Sequence, residues 1–231
     1  MTYSEEEQLE NLKRFWDDYG TFILIVIAIV LACFAGWRYW QNNKINTASQ
    51  AATVYQDVMS SLQKLQSNPA DQAANTELQR NAQKLMQDYV GTPYAVGAGL
   101  ALAKRAADSN DLKGAEKQLR WVLTQKPDEA TRLITTVRLA RVLAAKGDTA
   151  GGLALLANEN DESFAPLVQE ARGDILVTQG KTDDARKAYQ AADAAAAKRD
   201  ETRPIMETKM ADVGVAPAVR DDQGDDKAAV K

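Results

Sequence analysis

Histidine is absent from the 231 residues, and cysteine occurs once, at Cys33. Their scarcity excludes the Cys/His zinc signatures, the Cys–His and Ser–His–Asp arrangements of nucleophilic catalysis, and any intrachain disulfide. An excess of positive charge is missing too. Residues 1 to 40 carry six acids against three bases, which leaves 26 acids and 25 bases beyond residue 40. A nearly neutral chain lacks the clustered positive field that a phosphate backbone demands, so nucleic acid is excluded as a partner. No phosphate loop, metal-ligand spacing or nucleophile motif occurs. The "GAGLA" stretch around Gly97 lacks the preceding strand and the later glycine of a phosphate cradle, and reads as close helix packing. The expectation is a non-enzymatic protein with no catalytic, cofactor-binding or metal-binding residues.

What the chain does have is a long apolar run near its start. Between Asp18 and Arg38 stand 19 uncharged residues, and a helix rising ~1.5 Å per residue needs about 20 to cross ~30 Å of hydrocarbon. Aromatic residues mark both ends of the run, Phe15, Trp16 and Tyr19 at its start and Trp37, Tyr39 and Trp40 at its end. Indole and phenol rings favour the headgroup layer, so Trp16, Tyr19, Trp37, Tyr39 and Trp40 are candidate membrane-interface anchors. A cleaved signal would have a basic leader and a shorter core, whereas this leader is acidic. A lipoprotein signal ending at Cys33 would favour a small residue where Leu31 stands. Length, belts and leader favour a permanent span over residues 19 to 40, with the lipid bilayer as its partner. Its direction stays open, because Lys13 and Arg14 before it are balanced by Arg38 and Lys44 after it. Ala28, Ala32, Ala35 and Gly36 include small residues four apart, a weak signal for lateral helix pairing.

Beyond the run, apolar residues from Ala48 to Leu65 recur at helical spacing, giving a helix over 42 to 66. "SNPADQAAN" interrupts it, and a second helical pattern with Leu78, Ala82, Leu85 and Tyr89 runs up to "VGTPY", where Gly91 and Pro93 supply a break and a restart. The chain then repeats itself around Asn110, Gly147 and Gly180, at spacings of 37 and 33 residues. Seven residues before these turns stand Ala103, Ala140 and Gly173; five after stand Ala115, Gly152 and Ala185; nine after stand Leu119, Leu156 and Tyr189. Small residues let paired helices approach, and the large residue fills the space below. A short capping helix is expected around Ile205 to Val213, followed by a disordered acidic tail over 214 to 231.

A helix-turn-helix unit of about 34 residues with this pattern resembles the tetratricopeptide repeat. The first unit matches best, through Leu102, Ala103, Ala115, Leu119 and the closing Pro127; the second has Gly152 where alanine is usual, and the third lacks the closing proline. The fold class expected is all-α, one transmembrane helix followed by a tetratricopeptide-like helical-repeat domain over 41 to 213. Stacked helix pairs expose the first helix of each pair on a concave face. On that reading Leu100, Lys104, Val137, Arg141, Glu170 and Asp174 form a candidate groove, with apolar and charged residues in a column. Arg138 and Arg141 also make a pair able to hold a carboxylate, or else a solvated face.

The acidic leader, the span ending in "GWRYW" and the run "VRLARVLAAKGD…ARGDILVTQGKTDDARKAY" together resemble the YfgM family. The family resemblance implies an ancillary subunit of the bacterial SecYEG translocon in the inner membrane. Residues 1 to 18 would then be cytoplasmic and the repeat domain periplasmic. It implies SecYEG, a PpiD-like membrane-anchored chaperone and newly exported polypeptides as partners, and a chaperone-like role. The alternative from the residues alone is a repeat scaffold assembling another cell-envelope complex.

Overall fold

The computed structural model describes residues 3–201 and 204–215. Their regular structure is all α-helical apart from one short 3₁₀ turn, Glu162–Phe164. By contacts the chain divides between Thr53 and Val54.

Helix α1 is Tyr3–Ser67. The sequence suggested a span ending near residue 40 and a separate helix from 42, yet the backbone is helical throughout. Neither glycine nor proline occurs between Gly36 and Pro69, so nothing there interrupts the i to i−4 hydrogen bonding. Within the first unit the apolar side chains Phe22, Leu24, Ile25, Ile29, Val30, Leu31 and Phe34 are all exposed. Leu12–Ser67 contains the one helix among the described residues that is long and apolar enough to cross a membrane, with a window of mean hydropathy 2.5.

The second unit holds the end of α1 and helices α2 (Gln72–Asp88), α3 (Pro93–Asp108), α4 (Leu112–Thr124), α5 (Glu129–Ala145), α6 (Thr149–Ala157), α7 (Ala165–Thr178), α8 (Thr182–Ala197) and α9 (Pro204–Asp212). The strongest packing pairs α3 with α4, α5 with α6, and α7 with α8, as the repeat pattern predicts. Asn110, Gly147 and Gly180 sit at φ of 60°, 95° and 70°, the left-handed conformation that ends a helix. Each turn closes with the same pair of backbone bonds. After α3, for example, the Asp111 N–H donates to the Ala106 carbonyl at 2.8 Å and the Asn110 N–H to that of Ala107 at 3.0 Å. Asp111 and Asp148 then cap the following helices, accepting from the N–H of Gly114 and Gly151 at 2.9 and 2.8 Å. The first spacing is longer because α4 and α5 hold 13 and 17 residues where α6 and α7 hold 9 and 14.

The small positions explain how closely the pairs approach. A Cβ at Gly152 would lie 2.7 Å from the Ala140 carbonyl oxygen, and one at Gly173 would overlap the Tyr189 ring. "GAGLA" does the same work: a Cβ at Gly97 would meet the Tyr55 ring and one at Gly99 would lie 2.8 Å from Val122. Around these contacts Leu133, Val137, Ala140, Leu156, Val168, Ala171 and Ile175 form one continuous core. The expected capping helix is α9, whose Met206, Met210 and Val213 pack on Leu176, Ala185, Ala188 and Tyr189. That helix end includes Gly214, at φ 78°, and Val215, whose N–H donates to the Met210 carbonyl. The rest of the expected tail lies outside the described residues.

Candidate functional site

The six column residues separate into three environments. Lys104 on α3 is exposed and paired with Asp108 one turn on, at 2.7 Å. Leu100 is partly buried against the core formed by Ala103, Ala115, Leu119, Leu139, Val142 and Leu143. Val137 is only 1% exposed, and it does not line a groove. Residues four apart on a helix differ by about 40° in direction. Because α5 is packed by α4, α6 and α7, its free arc is narrow enough to admit Arg141 and exclude Val137.

Arg141, Glu170 and Asp174 are brought together, but as one another's partners. An Arg141 guanidinium nitrogen lies 2.9 Å from Asp174 Oδ2 and 3.4 Å from Glu170 Oε1. Lys209 of α9 closes the group, its Nζ standing 2.7 Å from both Glu170 Oε1 and Asp174 Oδ1. The Tyr189 hydroxyl donates to Asp174 Oδ1 at 3.0 Å. Burial, and then the Asp174 carboxylate, push that hydroxyl well above the ordinary tyrosine value. Among the described residues two cations, Arg141 and Lys209, meet these two carboxylates, and Glu170 is buried among its partners. Lys209 escaped sequence reasoning. Its one signal is its place between Met206 and Met210, at the edge of the buried face of α9. Arg138, the other half of the arginine pair, is exposed on α5.

Further ion pairs lock the repeat stack. Arg132 binds Glu159 in a two-point fork at 2.7 and 2.8 Å and also Glu129, and these carboxylates, Glu159 first, raise its pKa. Glu116 on α4 accepts from Lys146 and from Arg120, and those bonds hold its carboxyl below the usual range.

Two clefts open beside the intermediate helices. One, of about 400 Å³, lies between α2 and α4 over α3 and is lined mainly by amide and other polar side chains. The other, of about 550 Å³, lies between α6 and α8 over α7, with Leu153, Ala154 and Leu176 at its floor and Arg172, Asp184 and Lys187 at its rim. Among the described residues no group of acids and cysteine could hold a metal ion.

In the first unit the candidate anchors Trp16, Tyr19, Trp37, Tyr39 and Trp40 are all more than half exposed. Trp16 and Trp37 are separated by about 32 Å of helix rise, close to the thickness of a hydrocarbon core. Phe15 stacks near Tyr19 and Phe34 near Trp37, at centroid distances of 5.2 and 6.2 Å.

A family model described as a tetratricopeptide repeat-like domain matches residues 13–215. The ancillary SecYEG translocon subunit of Haemophilus influenzae is 31% identical over 194 residues, covering 83% of this chain and 91% of that protein. The chain belongs to the YfgM family. The protein of the same name from Escherichia coli is 29% identical over 190 residues, 81% of this chain and 86% of its own length. That of Neisseria gonorrhoeae is 28% identical over 185 residues, 80% and 85%. No solved structure gives a significant match. A YfgM-family chain with one exposed, span-length apolar helix is a membrane-anchored protein of a non-catalytic kind of family.

Proposed function

We propose that this chain is an accessory subunit of the Sec translocon, held in the inner membrane by α1 with residues 1–18 in the cytoplasm and the helical repeats in the periplasm. There the repeats bind partner proteins, such as a PpiD-like membrane-anchored chaperone, or newly exported polypeptides, without catalysing a reaction. The observation that carries this reading is the likeness, over about four-fifths of the chain, to proteins named ancillary SecYEG translocon subunits. A repeat domain on a membrane span also suits the task physically. A groove held beside a channel exit sees emerging chains at high effective concentration, so weak and broad binding is sufficient. The span would occupy residues 19 to 40 and the periplasmic domain 41 to 213.

The test is site-specific photocrosslinking in native membranes, with p-benzoylphenylalanine in place of Trp40 or Lys104, followed by identification of the adducts. Translocon subunits are expected from position 40, and exported chains or a periplasmic chaperone from position 104. Adducts and mild-detergent co-purification that contain only envelope-building proteins, with no translocon subunit, would refute the assignment in favour of a scaffold.

A further inference from the structure

We propose that the cleft between α2 and α4 holds the main chain of an extended polypeptide by side-chain amides. This rests on the reading that the repeats meet exported polypeptides, and it says where and how.

The floor of the cleft is Leu102 and Ala106 of α3; Asn75, Gln79 and Gln83 of α2 line one wall and Gln118 of α4 the other. Gln79 and Gln83 are exposed, and Gln118 is partly so. A side-chain amide carries one carbonyl acceptor and two N–H donors, which matches the donor and acceptor of a peptide group. Being uncharged, it pairs with a main chain whatever side chains that chain carries.

The spacing fits the same partner. Residues four apart on a helix are ~6.0 Å apart along its axis, while peptide groups facing one side of an extended chain recur every ~6.6 Å. Gln79 and Gln83 stand one four-residue step apart, so they address successive peptide groups along one edge, while the Asn75 carbonyl is held by Arg105. The mismatch over that step is about 0.6 Å, within the reach of a glutamine side chain.

Two local features keep the cleft shaped. Arg105 closes one end, its Nε donating to Asn75 Oδ1 at 3.0 Å and its Nη2 to the Pro69 carbonyl at 3.0 Å. On α4 the near end of the other wall is Gly114 and the Asp111 carboxylate that caps the helix. The α6–α8 cleft, the corresponding place two helix pairs further on, has the charged rim of Arg172, Asp184 and Lys187. Four amides line the α2–α4 cleft and one, Gln169, the α6–α8 cleft.

The experiment uses the full chain in phosphatidylethanolamine/phosphatidylglycerol nanodiscs and reads the fluorescence anisotropy of two labelled probes. One is a blocked nine-residue peptide of Ser, Thr, Val and Ala; the other is the same peptide N-methylated at alternate residues. The wild-type chain is expected to bind the first about tenfold more tightly than the second. The double variant Gln79→Ala with Gln83→Ala, which keeps good helix formers, is expected to bind the first about tenfold more weakly than wild type and to distinguish the two poorly. Absence of wild-type binding, equal binding of the two probes, or undiminished binding by the double variant overturns the proposal. Co-purification of SecYEG with the wild-type chain reports on the functional reading alone. If it persists while the peptide arm fails, the cleft is refuted and the reading survives. If it is absent while the peptide arm succeeds, the cleft is supported and the reading falls.

Discussion

Lys209 of α9 reaches the acidic pair on α7, and the substitution Lys209→Met tests how far that contact holds α9 in place. Its Nζ lies 2.7 Å from one oxygen of each acid, and the Lys209, Glu170 and Asp174 side chains are 26%, 10% and 25% exposed. Methionine keeps most of the aliphatic stem and its packing, so the change removes charge more than volume. Breaking a fully buried ion pair costs about 3–5 kcal/mol, whereas an exposed one is worth well under 1. With about a quarter of Lys209 still in contact with water, the expected loss falls between these, about 1–3 kcal/mol. Because α9 is a short terminal helix docked mainly through Met206 and Met210, with Val213 just beyond it, the loss should appear as local opening before global unfolding. Hydrogen exchange of the full chain in nanodiscs reads this directly. Amides of α9 are expected to exchange roughly ten- to a hundredfold faster, while those of α3 and α4 are unchanged. A double-mutant cycle with Asp174→Asn should give a coupling of at least ~0.5 kcal/mol. Exchange in α9 within twofold of wild type would show that the network contributes nothing to docking and would refute this reasoning.

Tyr189 adds a pH dependence whose sign follows from its raised pKa. The folded state holds the phenol proton more tightly than the unfolded state, so this contribution is complete below pH ~10 and is lost as the pH rises above it. Tyr189→Phe is expected to cost about 1 kcal/mol at neutral pH through the lost bond to Asp174, and to flatten the alkaline fall in melting temperature. Equal slopes above pH 10 for both proteins would count against it. Gly173→Ala should destabilise by about 1–3 kcal/mol, although alanine is the better helix former, because its Cβ overlaps the Tyr189 ring. Chemical denaturation checks this; a gain in stability would disprove the close approach of α7 and α8.

The repeat was legible because its signals are local. Asn110, Gly147 and Gly180 mark helix ends wherever the neighbours lie, since left-handed backbone is a property of one residue and its own carbonyl partners. The small positions at Ala140, Gly152 and Gly173 were legible through their fixed offsets from those turns. The end of α1 was less so. A change from apolar to polar side chains at residue 41 records a change of surroundings, whereas a helix stops only where its hydrogen bonding is broken, and Pro69 is the first residue able to do that. The ion pairing of the candidate groove residues was not legible for a third reason, which is that partner choice is not local. Lys209 is 39 residues from Glu170 and 35 from Asp174 in sequence, and only the docking of α9 brings them together. Charges that recur in register on stacked helices lie near one another, and opposite charges held that close at partly buried sites satisfy one another first. A column of alternating Lys, Arg and Asp therefore signals internal locking as readily as a binding face. Uncharged amides repeated along one exposed helix face, as at Gln79 and Gln83, keep their bonding capacity available to a chain arriving from outside, and they carry the stronger indication of where such a chain would lie.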